Sequence, residues 1–387
     1  MFTVVIFLLV LSTLVLIHEL GHFLAARIFG VKADEFGYGF PPRLIGVVKE
    51  NGKWKMVGRK DEKEYKNTIW SINWLPLGGF VRIKGENGEE ETLKDKDAFA
   101  SKAIWKRIVI LAAGVTMNWL LAFAIFAGIF TFGATTILDG VPADANVLNR
   151  EVRITSLLAD APAAKAGLLP GDKVVSIGGE TPNTYEDAQA LIAKQNDQPF
   201  EVKYDRDGAE GSATVSPIFL NEINKFGIGV GLADVGVVRF RFDRALWYAG
   251  ETVANYTKEV VFSFGTLIRD IVLLHHVEQD VAGPIGIAVI TGQVAKQGIV
   301  PLLQFTAILS INLAVVNFLP IPALDGGRVL FLVIEKVRRR AMARRLEARI
   351  HQIAFISLII LILLVTLRDI GKYSGVIWGG IRGIVGM

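Results

Sequence analysis

The chain has 387 residues, of which 51% are hydrophobic and 21% charged, with no cysteine and a formal net charge of +4. The missing thiols exclude a disulfide scaffold and any thiolate metal site. Nucleic acid is not expected as a partner, because the basic residues gather in short loops beside apolar runs instead of forming a stripe of their own.

In chain order the apolar residues form four uncharged runs, Phe2 to Ile17, Ile108 to Leu138, Ile299 to Leu324 and Gln352 to Leu367. Roughly 20 apolar residues cross a bilayer as a helix, so membrane lipid is the expected surrounding. The first and last runs are short, and residues 18–26 and 349–351 lengthen them at the interface. The first run is not read as a cleavable leader, since nothing basic precedes it and no small-residue cleavage site closes it.

The expected fold class is a membrane α-helical protein: four transmembrane helices with a membrane-associated β-hairpin region and an external α+β domain. Residues 1–29 form the first span, 30–102 the hairpin region with a charged linker, and 103–138 the second span. Residues 146–235 form the external domain, 236–297 interfacial helices, 298–335 the third span, 349–368 the fourth, and 369–387 an interfacial tail. The segment Lys336 to Arg349 carries seven basic residues against the single acid Glu347, so it should be cytoplasmic. Helices one and three then both end inside, bringing His22 and Asp325 to one side of the membrane.

The first run closes on His18-Glu19-Leu20-Gly21-His22. On a helix the two histidines are one turn apart on one face, where both imidazoles can hold one Zn²⁺ while Glu19 acts as base toward water. The alternative is a chance match, but ionisable groups on a lipid-grade helix are costly and functional by default. Two histidines leave catalytic zinc one protein ligand short. By this topology His275 and His276 lie on the far side and His351 opens the fourth span, so Asp325 is the best candidate. It sits in Asn317-Phe318-Leu319-Pro320-Ile321-Pro322-Ala323-Leu324-Asp325-Gly326-Gly327, where Pro320, Pro322 and the paired glycines predict that the helix ends or unwinds. Broken backbone at membrane depth must be buried in protein or line a wet cavity. A plain helix terminus with an interfacial aspartate is the simpler alternative.

Together these motifs resemble the site-2 protease family of intramembrane zinc metalloproteases, most closely the bacterial RseP and RasP type. The likeness extends to Pro76-Leu77-Gly78-Gly79-Phe80, Ala113-Gly114-Val115-Thr116-Met117-Asn118 and Ala282-Gly283-Pro284-Ile285-Gly286. It implies His18, His22 and Asp325 as zinc ligands, Glu19 as catalytic base, and Asn317, with Pro320 and Pro322 beside it, at an extended substrate strand. Asn118 would support the site, although Val115 stands where many relatives have proline. The implied activity is regulated intramembrane proteolysis in a bacterial inner membrane, in stress response. The implied substrates are single-span membrane proteins such as anti-sigma factors or remnant signal peptides.

Between the first two spans, Asn51-Gly52 separates two apolar stretches and Glu64 to Ile72 alternates apolar and polar, which predicts β-hairpins. The resemblance implies that part of this region dips into the membrane and offers a strand edge to the substrate; a soluble cytoplasmic sheet is the alternative. Val152 to Ser216 is a separate compositional island. Its Ala161 to Gly179 stretch resembles a single PDZ domain, with a turn at Pro170-Gly171-Asp172 and a helix from Thr184 that turns Leu191 and Ile192 inward. On the periplasmic side it would either gate the membrane site or take a peptide C-terminus as partner, with Phe226 to Gly231 as the candidate groove loop. Ala245 to His276 has helical spacing with an aromatic stripe, expected on the outer membrane surface. Two rival functions stand beside the protease: a non-catalytic membrane scaffold with a peptide-binding PDZ domain, and a metal or proton transporter.

Overall fold

The computed structural model describes residues 2–59, 61, 63–86, 95–142, 144–158, 161–206, 208–220, 225–270, 273, 282–340 and 342–374. The chain divides into two compact units, one of residues 1–126 and 249–387, the other of residues 127–248.

The first unit opens with α1 (Phe2–Ile28), uncharged until His18 and Glu19. A three-stranded antiparallel sheet follows, built of β1 (Ala33–Glu50), β2 (Lys53–Val57) and β3 (Ile69–Ile83) in the order β2-β1-β3. Asn51 and Gly52, both with positive φ, close the β1–β2 turn. β3 doubles back, so residues 35–38 of β1 pair with both of its arms, 69–72 and 79–82, and residues 45–47 of β1 pair with the far side of the first arm. Only the 79–83 arm therefore keeps an open edge among the described residues, a shorter edge than the whole of Ile69 to Ile83.

The return of β3 is fixed by α1. The Ser12 hydroxyl donates to the Pro76 carbonyl at 3.2 Å and accepts the Gly78 N–H at 3.2 Å. A Cβ on Gly78 would lie 2.6 Å from Val15, and one on Gly79 would lie 2.9 Å from Leu16. These contacts give the Pro76 to Phe80 motif a packing reason. Alternation along β3 buries Ser71 and Asn73 and exposes Ile72 and Trp74, while Trp54 and Met56 of β2 are also exposed. Glu35 is buried and paired with Arg43 and Arg82. α2 (Ile104–Phe132) completes the first half.

In the second unit α2 stops at Phe132, not Leu138. Gly133, at φ 97°, turns the chain out of the helix, and Ala134–Ile137 becomes β4, as its β-branched Thr135, Thr136 and Ile137 favour. There follow β5 (Asn146–Leu157), α3 (Pro162–Lys165), β6 (Lys173–Ile177), α4 (Tyr185–Lys194), β7 (Phe200–Arg206) and β8 (Ala209–Val215). The small hairpin β9 (Ile218–Leu220) and β10 (Lys225–Gly227) leads to β11 (Val230–Arg239). The antiparallel sheet runs β4-β11-β5-β6-β7-β8 around a core of Val152, Ile154, Leu168, Ile177, Phe200, Val202 and Val215. The unit is thus wider than the compositional island: β4 and β11 lie outside Val152 to Ser216 yet are sheet members. Thr184 caps α4 in a reciprocal box with Asp187, and Ala188 and Ile192 are buried. At the Pro170–Asp172 turn the buried Asp172 accepts from Leu169 N–H and from Arg206.

The chain returns along α5 (Phe242–Arg269), whose Tyr256 stacks on Phe126 at 6.0 Å. This helix starts before Ala245 and ends before His275 and His276, which lie outside the described residues. α6 (Pro284–Lys296) packs on α1, with Gly292 against Thr3. The expected single span over 298–335 is two helices, α7 (Ile299–Phe318) and α8 (Asp325–Arg338), separated by six non-helical residues, 319–324. α9 (Arg344–Lys372) begins before the expected residue 349 and runs past 368. Trp378 and most of the expected interfacial tail lie outside the described residues, as does most of the linker after Glu86. Four helices, α1, α2, α7 and α9, are long and apolar enough to cross a membrane, and membrane protein is the class they define.

Candidate metal and catalytic site

The i, i+4 spacing on α1 turns His18 and His22 to the same face, and both are buried. The third group comes from 303 or more residues later in the chain. The backbone break after Phe318 ends α7, because Pro320 and Pro322 have no N–H with which to continue its ladder. Asp325 then opens α8. Gly326 and Gly327 permit the tight turn, for a Cβ on either would lie 2.3 Å from a carbonyl oxygen of residues 318–321.

His18 Nε2 lies 3.0 Å from Asp325 Oδ2, His22 Nε2 lies 3.2 Å from the same oxygen, and the two Nε2 atoms are 3.2 Å apart. Tetrahedral zinc with ligands at about 2.0–2.1 Å separates them by roughly 3.3 Å, so this triangle fits three corners of such a site. The ring nitrogens facing away fit as well. His22 Nδ1 donates to the Ile110 carbonyl at 2.9 Å. His18 Nδ1 lies 3.3 Å from the side-chain amide of the fully buried Asn118, whose oxygen has no other partner among the described residues. Turning that amide so its oxygen meets the ring N–H satisfies both groups and leaves each Nε2 lone pair toward the ligand triangle. Ser310 in turn donates to the Asn118 carbonyl at 2.8 Å.

Glu19 is half-buried beside the triangle, and one of its oxygens accepts the Val81 N–H at 3.2 Å. Val81 is on the open arm of β3, so that edge and the carboxylate are adjacent. Asn317, the penultimate residue of α7, brings its amide to 3.5 Å from His18 Nε2. Pro320 is exposed and Pro322 half-buried, and both act through the backbone they interrupt.

The structure therefore gathers His18, Glu19, His22, Asn118, Asn317 and Asp325. The groups that sequence reasoning passed over are backbone atoms and a glycine. The Ile110 carbonyl and Val81 amide carry no signal in side-chain identity. Gly114 does: a Cβ there would lie 2.4 Å from His22 Nε2, so only glycine lets α2 approach the imidazoles.

The model of peptidase family M50 matches residues 6–58 and 61–361. A protein of Mesorhizobium japonicum is 32% identical, over 89% of this chain and 92% of its own. The zinc metalloprotease RasP of Geobacillus kaustophilus is 30% identical, and the regulator of sigma-W protease RasP of Bacillus subtilis 29%, each covering 96% of this chain and 98% of its own. A PDZ domain of an SdrC-like protein from Listeria monocytogenes is similar to 22% of the chain at 22% identity and a TM-score of 0.21. The chain belongs to peptidase family M50, the site-2 proteases, and is a zinc metalloprotease.

Proposed function

We propose that this protease cuts a transmembrane segment of a single-span membrane protein near its cytoplasmic end, with His18, His22 and Asp325 as zinc ligands and Glu19 as general base. The observation that carries the reading is the meeting of three ligand atoms from α1 and α8 next to Glu19 and an open strand edge. Bound zinc supplies Lewis acidity toward a carbonyl and lowers the pKa of water. Glu19 takes the proton of the attacking water and passes it to the leaving amine. The Val81 N–H orients the Glu19 carboxylate, and Asn118 and Ile110 hold the imidazoles in the tautomer that leaves Nε2 free.

A peptide bond inside an intact helix is wound away from such a base, so the substrate must unwind before cleavage. Pairing along residues 79–83 gives the unwound segment backbone partners beside Glu19, and Asn317 borders the same space. The exposed apolar face of the small sheet, with Trp54 and Trp74 each at least 60% exposed, supports lipid contact for this region. The basic loop before α9 favours a cytoplasmic location for that end of the molecule, with the unit of residues 127–248 outside a bacterial inner membrane. In that unit a groove of about 740 Å³ lies between α4 and the 226–232 segment, suited to a peptide C-terminus or to a gating role. The sigma-W designation of the Bacillus relative favours an anti-sigma factor as substrate, with remnant signal peptides as the other class. The scaffold and transporter readings fall with the family assignment.

The test is cleavage of a helical single-span reporter by purified protein alongside metal analysis. Glu19→Gln should keep zinc and lose cleavage, and Asp325→Ala should lose zinc as His18→Ala does. Retained cleavage in Glu19→Gln would sink the base assignment.

A further inference from the structure

We infer that His351, near the start of α9, is a positioning residue for Asp325: its Nδ1 accepts the Ala323 N–H and so fixes the turn that delivers the aspartate. The inference rests on Asp325 being a zinc ligand, as proposed above. The hydrogen bond is 2.9 Å long and joins two segments 28 residues apart.

Three observations make this contact more than incidental packing. Ala323 has φ 80°, in the left-handed region that a residue with a Cβ rarely adopts, so something must hold it there. The turn has no slack around it, because Gly326 and Gly327 already sit where a Cβ would touch the carbonyls of residues 318–321. A shift at Ala323 therefore reaches Asp325 two residues on. Thirdly, α9 is exposed along its apolar length, with no residue of that window buried, and a polar contact ties each of its two ends to the rest of the unit. His351 holds Ala323 at one end, and Asp369 accepts the Gly286 N–H at 2.7 Å at the other. Eighteen residues separate them, about 27 Å of helix. α9 thus forms a strut braced between the turn before Asp325 and the first turn of α6.

As an acceptor at Nδ1, the His351 ring is neutral with its proton on Nε2. The ring also packs edge-on against Phe331 of α8, with centroids 5.1 Å apart. Packing and hydrogen bonding can be separated by substitution. His351→Asn keeps an acceptor near the Nδ1 position and loses the ring. His351→Phe keeps the ring and loses the acceptor.

The experiment uses the full-length protein in detergent and three readouts: zinc loss to a chelator, kcat and KM for reporter cleavage, and amide hydrogen exchange over residues 319–326. The proposal expects His351→Asn within about twofold of wild type, and His351→Phe losing zinc about tenfold faster, the range of one hydrogen bond. In His351→Phe, kcat should fall with KM unchanged and exchange at 319–326 should rise. Adding Ala323→Gly to His351→Phe should recover part of the zinc retention, since glycine takes the positive φ without strain. The proposal is overturned if His351→Asn is the defective variant, if both variants are equally impaired, or if neither is. Should a single variant unfold, the glycine double variant still decides. If Asp325→Ala retained zinc, the ligand reading would fail by itself, while the exchange contrast would still report on the turn.

Discussion

Helices α1 and α9 have nearly equal mean hydropathy over their most apolar windows, 2.4 and 2.6, yet 28% of the first window is buried and none of the second. Hydropathy reports that both belong in lipid. What separates them is where polar groups fall. α1 turns Ser12 toward the return of β3 and His18, Glu19 and His22 toward α2, α8 and the strand edge. α9 makes polar contacts at both of its ends, through His351 and Asp369. A membrane helix is therefore read as machinery from the polar residues inside its apolar run, not from the run itself.

The largest effect that sharpens this contrast lies on α1. Glu19→Gln should lower reporter cleavage by about 10²–10⁴-fold, the usual worth of a general base, while leaving zinc content unchanged by metal analysis. Next is the face of α2 that α1 approaches. Gly114→Ala forces a methyl against His22 Nε2 and should weaken zinc retention by about 10–100-fold, measured by chelator competition. Normal zinc affinity there would mean the two helices are not as close as described.

The unit of residues 127–248 offers a polar interior group with a structural task. Burial raises the pKa of Asp172, but the Arg206 guanidinium and the Leu169 N–H outweigh it and hold the carboxyl below its usual value. With the folded pKa below the unfolded value of about 3.9, its stabilisation is complete above that pH and is lost as pH falls through the lower folded value. Asp172→Asn should cost about 1.5–3 kcal/mol near neutrality. Its stability should also fall less steeply than wild type as pH drops below about 4. Limited proteolysis of the full-length chain across pH would show both. The smallest effect belongs to α9: Ile360→Ala or Leu363→Ala, both exposed on its apolar surface, should change stability by less than about 0.5 kcal/mol. A large loss at either position would reveal a partner packed on α9 and break the comparison.

Much of the site could be read without a structure, for physical reasons particular to each part. The i, i+4 histidines needed only a helix, and an uncharged run guarantees one in lipid. The Asn51-Gly52 turn and the proline and glycine break after Phe318 are local chemistry, decided within a few residues by φ preference and a missing N–H. Boundaries were less legible. α2 was expected to continue to Leu138 because Ala134 to Leu138 is uncharged like the helix before it, and only Gly133 and the following threonines mark the change. The open edge was expected along all of residues 69–83, but β1 bends and covers the first arm.

The sequence by itself determined the lipid-grade helices, the shared face of His18 and His22 on α1 and the breakable backbone before Asp325, because each depends on residues within a turn or two of one another. Tertiary structure alone decided that Asp325 meets His18 across 307 residues, that Asn118 and the Ile110 carbonyl meet the far ring nitrogens, and that Val81 offers its amide to Glu19. Those meetings depend on packing between helices and on backbone atoms, which every residue has and no residue name distinguishes.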